Sequence, residues 1–185
     1  MRYETPTIPR NHLLSFLPYA VARDEAYALS PCLRAARRMR GNLIRPGHLR
    51  VTLCPLRCGR AELDDILSRL EDLIADVALR PVRIRFDIAC SFWVRPENHP
   101  FVLKAYHGTE ARIDLQHGLS ERLVRAGLCE SGRSYTPHMT LIWADRQVEE
   151  CPVLPISWIA SEIVLVRSHV GLTRHEHVSR WPLKD

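Results

Sequence analysis

Short runs in which apolar and polar residues alternate are separated along this 185-residue chain by stretches with apolar residues at three- and four-residue spacing. Leu13, Leu14, Phe16 and Leu17 form an apolar run of the kind a buried strand makes. Residues 20–39 then read as a helix that Pro31 should kink, or restart at Cys32. A turn from Asn42 leads into a strand ending at Leu56, which carries Leu49, Val51 and Leu53 on one face and His48, Arg50, Thr52 and Cys54 on the other. The clearest helix is 61–79, where Leu63, Ile66, Leu67, Leu70, Leu73, Ile74 and Val77 make one stripe and the acidic residues form a solvated face. Residues 82–94 alternate as a long strand, 95–100 form a turn into a strand over FVLKAY, and 109–128 are helical. Residues 135–143 are a strand with Pro137 near its start, and 157–168 and 175–181 are two final strands joined by a turn at Gly171.

This order predicts an α+β chain folded as a single domain over 1–185, with no Pro-, Gly- or Ser-rich linker to divide it. A composition with 46% hydrophobic and 25% charged residues is that of a folded globular protein and excludes a disordered or low-complexity one. The six cysteines are diluted along a chain that begins MRYETPTIPR, with no apolar leader, so reduced thiols and a cytoplasmic location are expected. No run of eighteen apolar residues suggests a membrane span, and no membrane association is expected. The net charge is +5, and of the 26 basic residues only Lys104 and Lys184 are lysine. Arginine reads phosphate in a planar, bidentate way. The same bias follows from GC-rich coding, so charge favours an anionic partner only weakly.

Two strands share a pattern that bears on chemistry: Leu49-Arg50-Val51-Thr52-Leu53 and Pro137-His138-Met139-Thr140-Leu141. Side chains alternate along a strand, so the basic residue and the threonine two positions on face the same side. Two such strands facing one another would enclose a phosphate between hydroxyl donors, with a titratable group on either side of phosphorus. In-line displacement needs that arrangement: one group accepts a proton from the nucleophile and the other protonates the leaving oxygen. Histidine suits either role near neutral pH.

With these two motifs, the opening strand and an ending SEIVLVRSHVGLTRHEHVSRWPL, the sequence resembles the two-histidine (2H) phosphoesterase superfamily over nearly its whole length. The likeness is to the 2′-5′ RNA ligase-like (LigT-like) branch of RNA 2′,3′-cyclic phosphodiesterases. The resemblance implies two pseudo-symmetric lobes, each an antiparallel sheet with flanking helices, and an active cleft between the sheets. It implies that His138 is a catalytic histidine, that Thr140 and Thr52 are the motif hydroxyls, and that no metal or organic cofactor is needed. The implied partner is a nucleotide or RNA end with a 2′,3′-cyclic or 2′-5′-linked phosphodiester, met by a monomer.

One departure stands out: Arg50 occupies the place of the first motif's histidine. A guanidinium does not deprotonate at physiological pH and cannot be a general base, although it can clamp a phosphate. His48 lies on the same strand face as Arg50, but two residues of strand displace it by roughly 6.6 Å, too far for the same proton transfer without a bulge. The sequence therefore predicts a phosphoesterase weakened by Arg50 or, alternatively, a disabled homologue that binds nucleotides or RNA.

Tyr135 and Trp143 flank the second motif and are positioned to stack on a nucleobase, while Trp143 equally suits the rim of the sheet. Arg146 follows that motif, three residues beyond the position where the family carries arginine. His175 and His177 share a strand face without an evident third metal ligand, and Cys54 and Cys58 lack a second cysteine pair. His99, His107 and His117 are expected at the surface.

Overall fold

The computed structural model describes residues 10–56, 63–75, 80–92, 99–130, 136–169 and 174–184. Its strands are β1 (Arg10–Phe16), β2 (Gly41–Leu43), β3 (Val51–Leu56), β4 (Val82–Ser91), β5 (His99–Lys104), β6 (His138–Ala144), β7 (Cys151–Ala160), β8 (Glu162–His169) and β9 (Arg174–Pro182). Its helices are α1 (Ala20–Ala36), α2 (Leu63–Ala75) and α3 (Glu110–Arg125), and a 3₁₀ turn spans Pro46–His48. All nine strands pair antiparallel in the order β7-β4-β5-β6-β3-β1-β8-β9, with β2 also on β6. The α+β class expected from the sequence is the one observed.

The sheet has two halves of four strands, β7-β4-β5-β6 and β3-β1-β8-β9, each with its motif strand innermost. They meet at a single register pair, Val51 with Met139. Both side chains are fully buried, and burying an apolar side chain of this size contributes about 1.5–3 kcal/mol. The sheet cannot be flat. Six strand intervals separate β7 from β8, about 29 Å in a flat sheet, yet Ser161 alone links Ala160 to Glu162, a reach of about 7.6 Å. The halves therefore curl toward each other, with β3 and β6 at the fold. Helix α1 packs on β6 and β7, α2 on α3 and β9, and α3 on β3 and β4.

Several expectations need correction. Helix α1 runs through Pro31 without a break. Ser30 Oγ donates to the Ala26 carbonyl at 2.8 Å and Cys32 Sγ to that of Ala28 at 3.5 Å, so side chains serve carbonyls beside the proline. The segment 157–168 is not one strand. Its first part belongs to β7, which begins at Cys151 and tolerates Pro152 and Pro155 because it is an edge strand. Its second part is β8 in the other half. The hydrophobic alternation gives no sign of the break at Ser161. His99 is buried rather than exposed, because β5 lies between β4 and β6, while His107 and His117 are exposed. Cys54 is also buried. Ser15 pairs with Thr52 and Leu14 with Cys54, so Leu53 is an extra residue that reverses the alternation after Thr52.

Candidate active site

The second motif strand has a matching irregularity. Val102 pairs with Thr140 and Phe101 with Ile142, leaving Leu141 extra. Each motif thus places its bulge on the leucine that follows its threonine. In β6 the phase reversal carries Trp143 onto the side of His138 and Thr140, whereas strict alternation would turn it away. Trp143 is 43% exposed and lines the cleft.

That cleft has a volume of ≈ 800 Å³ and collects Arg50, Thr52, His138, Thr140 and Trp143 with Asn42, Leu43, Ile44, Arg45, His48, Ser168, His169 and His175. The sequence-predicted residues Arg50, Thr52, His138, Thr140 and Trp143 come together. Tyr135 lies outside the described residues, as does Cys58. Arg146 is exposed and is not among the residues lining the cleft. Two arginines, four histidines and no carboxylate line it among the described residues, so its field favours an anion.

His138 opens β6 at the seam between the halves. Its Nδ1 lies 2.7 Å from the Thr136 carbonyl oxygen. A carbonyl only accepts, so Nδ1 carries the proton and Nε2 of the neutral ring presents a lone pair. Phe92 contacts the ring edge-on, with centroids 4.9 Å apart. Burial lowers the affinity of His138 for a proton, and the bond to Thr136 opposes that less strongly. At neutral pH this is an unprotonated imidazole in a fixed orientation.

On the other side of the seam the 3₁₀ turn ends at His48, and β3 begins only at Val51. His48 is therefore not on a continuous strand with Arg50, and the strand spacing that separates them in the sequence does not apply. The His48 and His175 rings stack with centroids 3.8 Å apart and planes 25° from parallel. Arg50 Nη1 donates to the His48 carbonyl at 3.2 Å and to His175 Nδ1 at 3.1 Å. Guanidinium only donates, so His175 Nδ1 holds a lone pair and Nε2 carries the hydrogen. Burial, followed by the positive charge of Arg50, lowers the His175 pKa to about 4. The Arg50 Nε–H is buried with no partner among the described residues.

His175, Ser168 and His169 enter the cleft because β8 and β9 pair, with Ser168 opposite His175. Sequence reasoning left His175 aside, although a hairpin about Gly171 already implies that pairing. Asn42 and Arg45 were missed outright, since nothing in their local pattern marks them. His169 Nε2 lies 3.2 Å from Glu176, which also pairs with Arg167 at 3.2 Å and Arg174 at 2.8 Å. These contacts tie β8 to β9. Among the described residues no three His, Cys, Asp or Glu side chains are grouped to hold a metal ion, and no helix is long and apolar enough to cross a membrane.

No protein-family model and no curated protein sequence matches the chain. Solved structures do. Escherichia coli LigT complexed with 3′-AMP aligns with a TM-score of 0.76 and 22% identity over 96% of this chain and 99% of that one. A phosphoesterase aligns with 0.74 and 19% over 96% and 99%, and the Thermus thermophilus protein TT0787 with 0.69 and 20% over 95% and 98%. LigT structures complexed with NADP+, ATP and phosphate also match. The chain has the LigT fold.

Proposed function

We propose that the chain is a LigT-like member of the 2H phosphoesterases, a single two-lobed domain. In this reading its cleft takes a nucleotide or RNA end bearing a 2′,3′-cyclic or 2′-5′-linked phosphodiester and hydrolyses it without a metal. The observation that carries this reading is the convergence of an oriented, neutral His138, two motif threonines and Arg50 in a cleft lined by no carboxylate among the described residues. The 3′-AMP, ATP, NADP+ and phosphate bound by E. coli LigT are phosphate-bearing anions, which supports an anionic phosphate ligand in this cleft.

In the proposed reaction the Thr52 and Thr140 hydroxyls donate to non-bridging oxygens, and Arg50 stabilises the charge that develops on them. The bound anion raises the proton affinity of His138 from its depressed value. Protonated at Nε2, His138 then delivers that proton to the leaving ribose oxygen, while Trp143 offers a face to the base. Such a proton transfer contributes about 10²–10⁴-fold. A cytosolic monomer satisfies this scheme.

Arg50 in place of a first histidine favours one second reading: a disabled homologue that binds the same ligands as a sensor. Turnover of an oligonucleotide ending in a 2′,3′-cyclic phosphate, in EDTA, separates the two. The enzyme reading expects metal-independent hydrolysis that His138→Ala removes. Binding without turnover in the wild type would transfer the chain to the sensor reading.

A further inference from the structure

In-line displacement at phosphorus calls for a group at the attacking oxygen as well as one at the leaving oxygen. Arg50 cannot accept a proton, so the reaction proposed above lacks a base. We propose, resting on that phosphoesterase reading, that His48 is the general base, held in place by His175 and Arg50 as positioning residues.

The backbone brings His48 to the cleft by a route the strand pattern hides. His48 N donates to the Arg45 carbonyl at 2.8 Å and Leu49 N to that of Pro46 at 3.2 Å, closing a tight turn immediately before β3. The ring then lies flat against His175. Arg50 holds both ends of this bracket, since Nη1 bonds the His48 carbonyl and the His175 imidazole. The backbone and the ring plane of His48 are both fixed, as a proton-transfer group requires.

Of the two stacked rings, only His48 is equipped to act as the base. The accepting nitrogen of His175 is occupied by the Arg50 guanidinium, and its other nitrogen carries hydrogen. No described residue hydrogen-bonds either ring nitrogen of His48, leaving it open to water or substrate. The charged and titratable groups around it act in one direction: burial, then Arg50, then Arg45, hold its proton affinity below that of an ordinary histidine. His175 is held lower still by burial, Arg50, His48, His177 and His169. His175 thus stays neutral when His48 takes up a proton, and the stack avoids juxtaposing two cations. His138 is also depressed by burial, and its bond to the Thr136 carbonyl opposes that in part. In this proposal His48 serves as base and His138, protonated once the anion is bound, as acid.

The step balances for a 2′,3′-cyclic phosphate. Water attacks phosphorus as His48 removes one of its protons, the new P–O bond forms, and the bond to one ribose oxygen breaks. That oxygen takes the proton held by His138. The product is a phosphomonoester, and exchange with solvent returns the proton from His48 and restores that of His138.

The test is steady-state hydrolysis of 2′,3′-cyclic AMP in EDTA across pH 5–9, beside the affinity for 3′-AMP. His48→Gln is expected to lower kcat by about 10²–10⁴-fold, abolish the acid limb of kcat/KM and leave 3′-AMP affinity within threefold of wild type. His175→Ala exposes the His48 ring to water and should move that limb to higher pH without abolishing it. Arg50→His should not raise turnover, because a base is already present. His48→Gln turnover within threefold of wild type, with His138→Ala inactive, would overturn this assignment and leave the phosphoesterase reading standing. So would a tenfold gain in Arg50→His, or loss of 3′-AMP binding in His48→Gln. A wild type that binds 3′-AMP but turns over nothing overturns both.

Discussion

Replacing Arg50 by methionine keeps most of the side-chain length and removes the charge. In the wild type, Nη1 is committed to the His48 carbonyl and to His175, while Nε is buried without a partner among the described residues. A ligand phosphate oxygen accepting from this guanidinium would make a charge-assisted hydrogen bond, which contributes about 1.5–3 kcal/mol. Its loss corresponds to roughly a 10- to 150-fold weaker Kd. The same substitution releases His175 Nδ1 from the cation beside it. His175 should then titrate above its wild-type value of about 4 but below 6.5, because burial, the larger cause of its depression, remains. Calorimetric titration with 3′-AMP reads the first effect, and NMR of the imidazole resonances against pH reads the second. An affinity within threefold of wild type would refute the phosphate role of Arg50. A His175 titration still near 4 would refute its electrostatic role.

Trp143→Ala should weaken 3′-AMP but not inorganic phosphate, by roughly 5- to 150-fold if a base stacks there, since such stacking contributes about 1–3 kcal/mol; equal losses for both ligands would contradict stacking. Gly41 sits at φ 138°, and a Cβ there would lie 1.9 Å from the Trp143 carbonyl oxygen. Gly41→Ala should therefore cost at least about 1–3 kcal/mol, seen as a Tm lower by roughly 2–12 °C, and an unchanged Tm would contradict that packing. His175 also links pH to stability. Its folded pKa of about 4 lies below the unfolded 6.5, so the unfolded chain binds the extra proton between them. That contribution is complete above pH 6.5 and is lost as pH falls through about 4. In chemical denaturation from pH 7 to pH 4, His175→Gln should lose less stability than wild type, and equal losses would contradict the linkage.

The sequence shows the elements well and their partners poorly. Helix α2 and strands β3 and β6 carry periodic patterns that survive in the fold, and the repeated basic-apolar-Thr-Leu phrase locates both motif strands. The bulges at Leu53 and Leu141 are invisible to a period of two, which is why strict alternation puts Cys54 on the wrong face and turns Trp143 away from the motif side. Helix α3 hides its orientation in another way, because its buried face includes Arg112 and Gln116 beside Leu119 and Leu123. Gln116 donates to the Leu53 carbonyl at 3.3 Å, and Arg112 lies over the Phe86 ring, 5.5 Å from its centroid. A hydrophobic stripe does not announce such polar burial. His48 and His175 meet across 127 residues of sequence through the 3₁₀ turn and the β8–β9 pairing. The pairing follows from the turn expected at Gly171, but the 3₁₀ turn that brings His48 to the cleft does not follow from local periodicity, so the resemblance to the 2H family pointed to Arg50 without showing what stands around it.

The most direct test of a phosphodiester site centred on His138 is phosphorus NMR of 2′,3′-cyclic AMP incubated in EDTA with wild type and His138→Ala in parallel. The wild type should convert the cyclic phosphate to one phosphomonoester, and the variant should convert none above background. Conversion at equal rates by both proteins, or conversion by the wild type that stops in EDTA, would contradict it.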